Sequence, residues 1–205
     1  MQYLMELFLI ATTIQIALIS PGPDFMVTLR QTINYGKKYA YASCLGIGAA
    51  MVIHVSYTLL GIGFILKQFP YFLDIVRILG ALYLIYLGYG SFRNNSSKII
   101  IEHQNKVIYS YKKSFFIGFI TDLLNPKATL FFLSIFTAIV SPNTPMYIQG
   151  LYGLYCVLAN IFWYMLVANL LSRKKNLELF NKHQNIIEKV IGVLLVLLGI
   201  KLIYS

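Results

Sequence analysis

Charge is what this chain of 205 residues has least of: 12% of its residues are charged, against roughly a quarter in a soluble domain. Acids are scarcer still, with seven Asp and Glu together. Cysteine is held to two residues, Cys44 and Cys156, with no CxxC pair, so neither a disulfide framework nor a cysteine metal site is expected. Both read as small apolar packing residues. No HExxH, no Gly-rich phosphate loop and no Ser/His/Asp set occurs, so covalent and metal-dependent catalysis have no residues to perform them. The chain is expected not to be an enzyme, and to carry no cofactor and no metal.

What fills the space is apolar. Hydrophobic residues make up 58% of the chain and the mean hydropathy is +0.69, more than one globular core could hide. The surface must therefore face lipid, which makes this an integral membrane protein. The net charge of +10 would suggest nucleic acid in a soluble protein, but no basic stripe interleaved with aromatics is present. The positives lie between apolar runs instead, where they act as topology signals and meet anionic lipid headgroups.

A membrane-crossing helix needs roughly 20 mostly apolar residues. Six candidates occur, at 4–29, 40–66, 71–92, 114–140, 146–171 and 186–204. Their length and lack of alternation predict helices rather than barrel strands. The N-terminal run has no basic leader region and carries Glu6, so it reads as a retained span. Thirteen of the 17 Lys and Arg lie in alternate connections: Arg30, Lys37 and Lys38; Arg93, Lys98, Lys106, Lys112 and Lys113; Arg173, Lys174, Lys175, Lys182 and Lys189. By the positive-inside rule those loops are cytoplasmic and both termini lie outside.

Two of the six runs are interrupted. Ser20-Pro21-Gly22-Pro23-Asp24 breaks the first and Asn125-Pro126-Lys127 breaks the fourth. Proline lacks a backbone donor and clashes with the preceding turn, so a regular helix cannot pass through either. With three spans per half, the second half enters the membrane from the opposite side. The predicted fold is thus an all-α polytopic membrane protein of six helices in two inverted three-helix repeats, about 1–92 and 114–205, joined at 93–113. Interrupted spans at corresponding positions point to a transporter's binding site. Glycines and alanines such as Gly46, Gly48, Ala50, Gly80 and Ala81 allow close helix packing.

Ionisable groups inside a bilayer mark a pathway or a site. Asp122 lies nine residues past Lys113, roughly 14 Å into the membrane, and reads as a proton acceptor, a clamp for a substrate ammonium, or a partner of Lys127. Asp24 reads as either a helix cap or a substrate contact. Lys127 could pair with a carboxylate or receive one from a substrate. His54 could relay protons or simply bond a neighbouring helix. Gln15, Asn34, Asn160 and Asn169 read as polar bridges between helices. Tyr83, Tyr86, Tyr89 and Trp163 read as packing or interfacial residues. Asp74 and Arg77 could pair with each other.

Several of these motifs occur together in one known family. Pro21-Gly22-Pro23, then Gly36 and Gly46, then Gly80-Ala81-Leu82-Tyr83-Leu84 and Phe92-Arg93, then Phe116, Gly118 and Leu124-Asn125-Pro126-Lys127-Ala128 follow in order. In this the chain resembles the LysE/RhtB family of bacterial amino-acid exporters. The resemblance implies a small inner-membrane exporter of amino acids or related zwitterions, proton-coupled and compatible with a homodimer. It would place the substrate against Pro21, Gly22, Pro23, Asp24, Asn125, Pro126 and Lys127, with Asp122, Asp24 and His54 as proton-coupling candidates. An uncoupled channel, or a transporter of another small solute, is the alternative.

Overall fold

The computed structural model describes residues 1–20, 22–68, 110–141 and 143–204, together with 78–79, 81–82, 84–86 and 88–90. Pro21, Tyr83, the Asp74 and Arg77 pair, most of the expected third span and most of the joint at 93–113 lie outside those residues. Seven helices are delimited among the described residues: α1 (Gln2–Ile19), α2 (Pro23–Tyr35), α3 (Lys37–Gln68), α4 (Tyr111–Leu123), α5 (Pro126–Ile139), α6 (Met146–Leu171) and α7 (Lys174–Tyr204). The described parts of 78–90 are helical as well, and no strand occurs among the described residues. A chain in lipid must satisfy its backbone internally, and a helix does so within one segment.

Among the described residues four helices, α1, α3, α6 and α7, contain stretches long and apolar enough to cross a membrane. A fifth crossing results if α4 and α5, bent by 55° at the Leu124-Asn125 break, count as one. The first expected run, 4–29, is divided differently. Already by Ile19, α1 reaches crossing length, and α2 is a separate helix of another character. Its Asp24, Thr28, Gln31 and Thr32 are all buried, at helical spacing on one face. That polar face turns inward against α3, α4 and α6, so α2 belongs to the protein interior. Gly36, with φ of 94°, closes α2 by donating its N–H to the carbonyls of Gln31 and Thr32, and α3 starts at the next residue.

The central helix is α3, which packs against α2, α4, α5 and α6. Its closest neighbour is α4. A Cβ on Gly118 would collide with the backbone carbonyl of Ser43, and one on Gly46 with that of Phe115. The two backbones can touch only because both positions lack a side chain. The Ser43 hydroxyl donates to the Ser114 carbonyl at 2.8 Å, and the Ser114 hydroxyl donates to Gln31 at 3.2 Å. Lipid supplies no hydrophobic drive between helices, so such close packing and interhelical hydrogen bonds hold the bundle together. Ile10, Ile14, Phe25, Leu29, Ile47, Met51, Phe132 and Phe136 fill its interior, while Phe8, Leu60, Leu158, Phe162 and Leu197 face outward.

Candidate functional site

The site grows from two helix starts. Chain direction changes after α4 through Leu124 and Asn125, and Pro126 opens α5. Proline suits the first helical position, where its missing N–H costs nothing and its φ is already helical. Asn125 caps this start, accepting the Lys127 N–H on Oδ1 at 3.0 Å. Its Nδ2 donates to Asp24 Oδ2 at 3.0 Å. One amide thus joins two breaks that are 101 residues apart.

At the other break Gly22 is extended, Pro23 opens α2, and Asp24 follows as the second helical residue. No side chain caps α2, which corrects the capping alternative for Asp24: the capping side chain is that of Asn125, on α5. Lys127 reaches across and donates from Nζ to the Ser20 carbonyl at 3.2 Å, beyond the end of α1. A Cβ at Gly22 would stand 3.3 Å from that Nζ, so the glycine leaves the ammonium room. Lys127 forms no ion pair among the described residues, although Asp24 acts on it through its charge.

These groups surround a pocket whose free volume, mouth included, is about 410 Å³. Gly22, Asp24, Asp122, Asn125 and Lys127 line it, with Asn160 and Tyr164 of α6 opposite and Ile14, Leu18, Met51, Phe131 and Phe132 as an apolar wall. Among the described residues, Asn160 Oδ1 is buried without a hydrogen-bond partner, and Asp24 Oδ1 and the two carboxyl oxygens of Asp122 are buried with no donor but a proton that the two adjoining carboxyls share. Asp122 and Asp24 also act on each other through their charges. Buried acceptors are normally paired, and leaving one unpaired costs about 1–3 kcal/mol. These four buried acceptors and one ammonium in a small pocket form a receptor for a species with both a cation and an anion.

Of the residues singled out in the sequence, the pocket brings together Gly22, Asp24, Asp122, Asn125 and Lys127. Pro23 is exposed at the start of α2. His54 is fully buried beside the pocket rather than in its lining. Its Nε2 donates to the Asp122 backbone carbonyl at 2.9 Å and lies 3.5 Å from Asp122 Oδ2. A carbonyl only accepts, so Nε2 carries the ring proton, and Nδ1 accepts from the Tyr57 hydroxyl at 2.6 Å.

Three residues acquire a meaning that sequence reasoning missed. Asn160, read as a helix bridge, instead points an unpaired oxygen into the pocket; its neighbour in type, Asn169, does bridge helices, accepting from Lys37 Nζ at 3.1 Å. Tyr57 was legible only as a tyrosine three residues from His54, one turn along the same face. Glu6 is buried at the start of α1 and accepts from Gln2, the Ser141 N–H, Thr144 and Tyr152, tying α1 to α6 and to the connection before it. Tyr86 and Tyr89 are exposed. No group of three or more His, Cys, Asp or Glu able to hold a metal exists among the described residues.

Comparison with known proteins supplies the context for this pocket. A family model described as LysE type translocator matches residues 15–205. A threonine efflux protein of Salmonella typhi is 29% identical over 205 residues, covering 98% of this chain and 99% of that protein. The threonine efflux protein of Escherichia coli strain K12 is 28% identical over 206 residues, covering 98% and 100%. The uncharacterized membrane protein YrhP of Bacillus subtilis is 29% identical over 192 residues, covering 89% and 91%. No solved structure matches the chain.

Proposed function

The chain belongs to the LysE type translocator family, and from that premise we propose that it exports a small zwitterionic amino acid across the bacterial inner membrane in exchange for protons. It is a transporter, not an enzyme. The observation that carries this reading is the meeting, in one pocket, of the Lys127 ammonium with the adjoining carboxyls of Asp122 and Asp24 and the unpartnered oxygen of Asn160. Lys127 receives the substrate carboxylate, helped by the positive starts of α2 and α5. Asp122 and Asn160 receive its ammonium. Threonine is the first substrate to test, because two of the matched relatives are named threonine efflux proteins and a hydroxyl offers a further donor to these acceptors.

In this reading the chain crosses the membrane six times as two inverted repeats, with the breaks at 20–23 and 124–126 facing each other at the site. Both termini lie outside, as the basic loops require. A proton arriving from outside neutralises Asp122 or Asp24, weakens the hold on the ammonium and releases the substrate outward.

Purified protein in liposomes tests this directly. Labelled threonine and other amino acids are loaded inside and efflux is followed with and without an imposed pH gradient. Gradient-stimulated efflux of at least one zwitterion is expected, and Asp122→Asn should lose the stimulation. If Asp122→Asn and Asp24→Asn both export at the normal rate with unchanged pH dependence, the proton role is wrong.

A further inference from the structure

We infer that Tyr57 and His54 form the path by which protons reach Asp122 from the outer side of the membrane. The inference rests on the proton-coupled export proposed above and adds to it a route, a direction and a new residue. His54 has no exposed surface, whereas Tyr57, one turn nearer the outer end of α3 and still within its crossing stretch Lys37–Gly61, is 38% exposed, so the pair leads from the interior part of the way toward the outer face. The groups stand in line: the Tyr57 hydroxyl bonds His54 Nδ1 at 2.6 Å, and His54 Nε2 lies 3.5 Å from Asp122 Oδ2. The last gap is the longest, and Nε2 presently donates to the carbonyl of the same aspartate, at 2.9 Å. A small rotation of the Asp122 side chain therefore substitutes its carboxyl for its carbonyl.

Direction follows from helix geometry. The chain enters α3 at Lys37, from a connection whose basic residues mark the cytoplasmic side, and rises about 1.5 Å per residue. Tyr57 lies one turn beyond His54 and hence farther from the cytoplasm. Its hydroxyl also meets Thr129 of α5, which can serve as the donor that replaces the proton it passes on. Other titratable groups are present on every side: Asp24 on α2, Lys127 on α5 and Tyr164 on α6, with Asp24 and Asp122 both acting on Tyr164.

The transfer balances simply. Tyr57 passes its hydroxyl proton to His54 Nδ1 and takes one from the outer side, so the ring becomes an imidazolium. Nε2 then gives its proton to Asp122 Oδ2. The neutral ring is left with its proton on Nδ1, and a turn of the buried ring that brings Nδ1–H to the Asp122 carbonyl and the bare Nε2 to the Tyr57 hydroxyl readies it for the next proton. The net result is one proton moved from outside to Asp122, with no other bond made or broken.

The test separates proton delivery from substrate handling. Liposomes carrying the full chain are assayed in two modes with labelled threonine: efflux driven by an imposed pH gradient, and exchange of labelled for unlabelled threonine with no gradient. Tyr57→Phe keeps the ring and removes only the hydroxyl. The ratio of gradient-driven efflux to exchange should fall by at least about tenfold, and the pH profile of efflux should change shape, as when a proton-transfer group is lost. His54→Gln should give the same split. If wild-type efflux responds to the gradient while Tyr57→Phe has an unchanged ratio, or loses both modes in proportion, the relay is wrong and coupled export stands. If wild-type efflux ignores the gradient, the coupling itself is wrong, and the relay with it.

Discussion

Adding one methyl group to α4 tests whether the α3–α4 seam is as tight as described. In Gly118→Ala the new Cβ meets the Ser43 carbonyl group, with the carbonyl carbon at 2.8 Å and the Cα at 3.0 Å, where ordinary contact begins at 3.4 Å. These are backbone atoms of another helix and have no rotamer to change, so the helices must part by something approaching an ångström. Overpacking of this kind costs about 1–3 kcal/mol. The Ser43 hydroxyl bond to Ser114, at 2.8 Å, lies one turn away and is stretched by the same movement, adding about 0.5–1.5 kcal/mol. A total near 2–4 kcal/mol corresponds to a fall in Tm of roughly 5–15 °C for a chain of this size. The assay is thermal unfolding of detergent-purified protein by circular dichroism, with Gly61→Ala as the matched control. Gly61 sits in α3 with no described residue within 4 Å of an added Cβ, so the same substitution there should leave Tm unchanged or raise it, by up to about 1 kcal/mol of helix propensity. If Gly118→Ala melts with the wild type, or if both variants lose equally, the seam is not where the backbones touch.

Two further substitutions probe the carboxyl and amide groups that the sequence left unassigned. Asn160→Leu removes a buried acceptor that has no partner among the described residues, so it should leave Tm level or raise it while weakening threonine by about tenfold in the concentration dependence of exchange. Unchanged affinity would mean that the oxygen does not meet the substrate. In Glu6→Gln an amide nitrogen replaces one of the oxygens that receive Thr144, Tyr152 and the Ser141 N–H. The NH2 turns to the side of the Thr144 and Tyr152 hydroxyls, which accept from it, so bonds to a carboxylate become weaker bonds to an amide, costing about 1 kcal/mol, read as a lower Tm and faster proteolysis around 141–145. Identical proteolysis of the two proteins would count against the contact.

The membrane class and most long helices are legible in the sequence because length and apolarity alone decide them. The pairing of the two breaks is legible too, since Gly22-Pro23-Asp24 and Asn125-Pro126-Lys127 each set a charged residue directly after a proline that opens a helix. What escapes is rotation. Asn160 and Asn169 look alike on paper, yet one turns into the pocket and the other meets Lys37, because nine residues on a helix bring a side chain to a different face and depth. The separateness of α2 escapes for a related reason. Its polar residues read as a decline in hydropathy, and only their shared face, turned toward α3, α4 and α6, shows that it is an interior helix. Tyr57 and Glu6 depend on partners 72 and 138 residues away, Thr129 and Thr144, which no local pattern announces.

The 55° bend between α4 and α5 makes α5 a lever. With 14 residues it is about 21 Å long, so a tilt of about 5° at Asn125 swings its far end by roughly 2 Å. Lys127, beside the fulcrum, hardly moves. The far end runs into Ser141 and Thr144, two of the residues that Glu6 holds. The pocket therefore sits at the pivot and the carboxylate latch at the tip. A change in the hydrogen bonds at the tip therefore displaces the connection after α5 far more than it displaces the lining of the pocket.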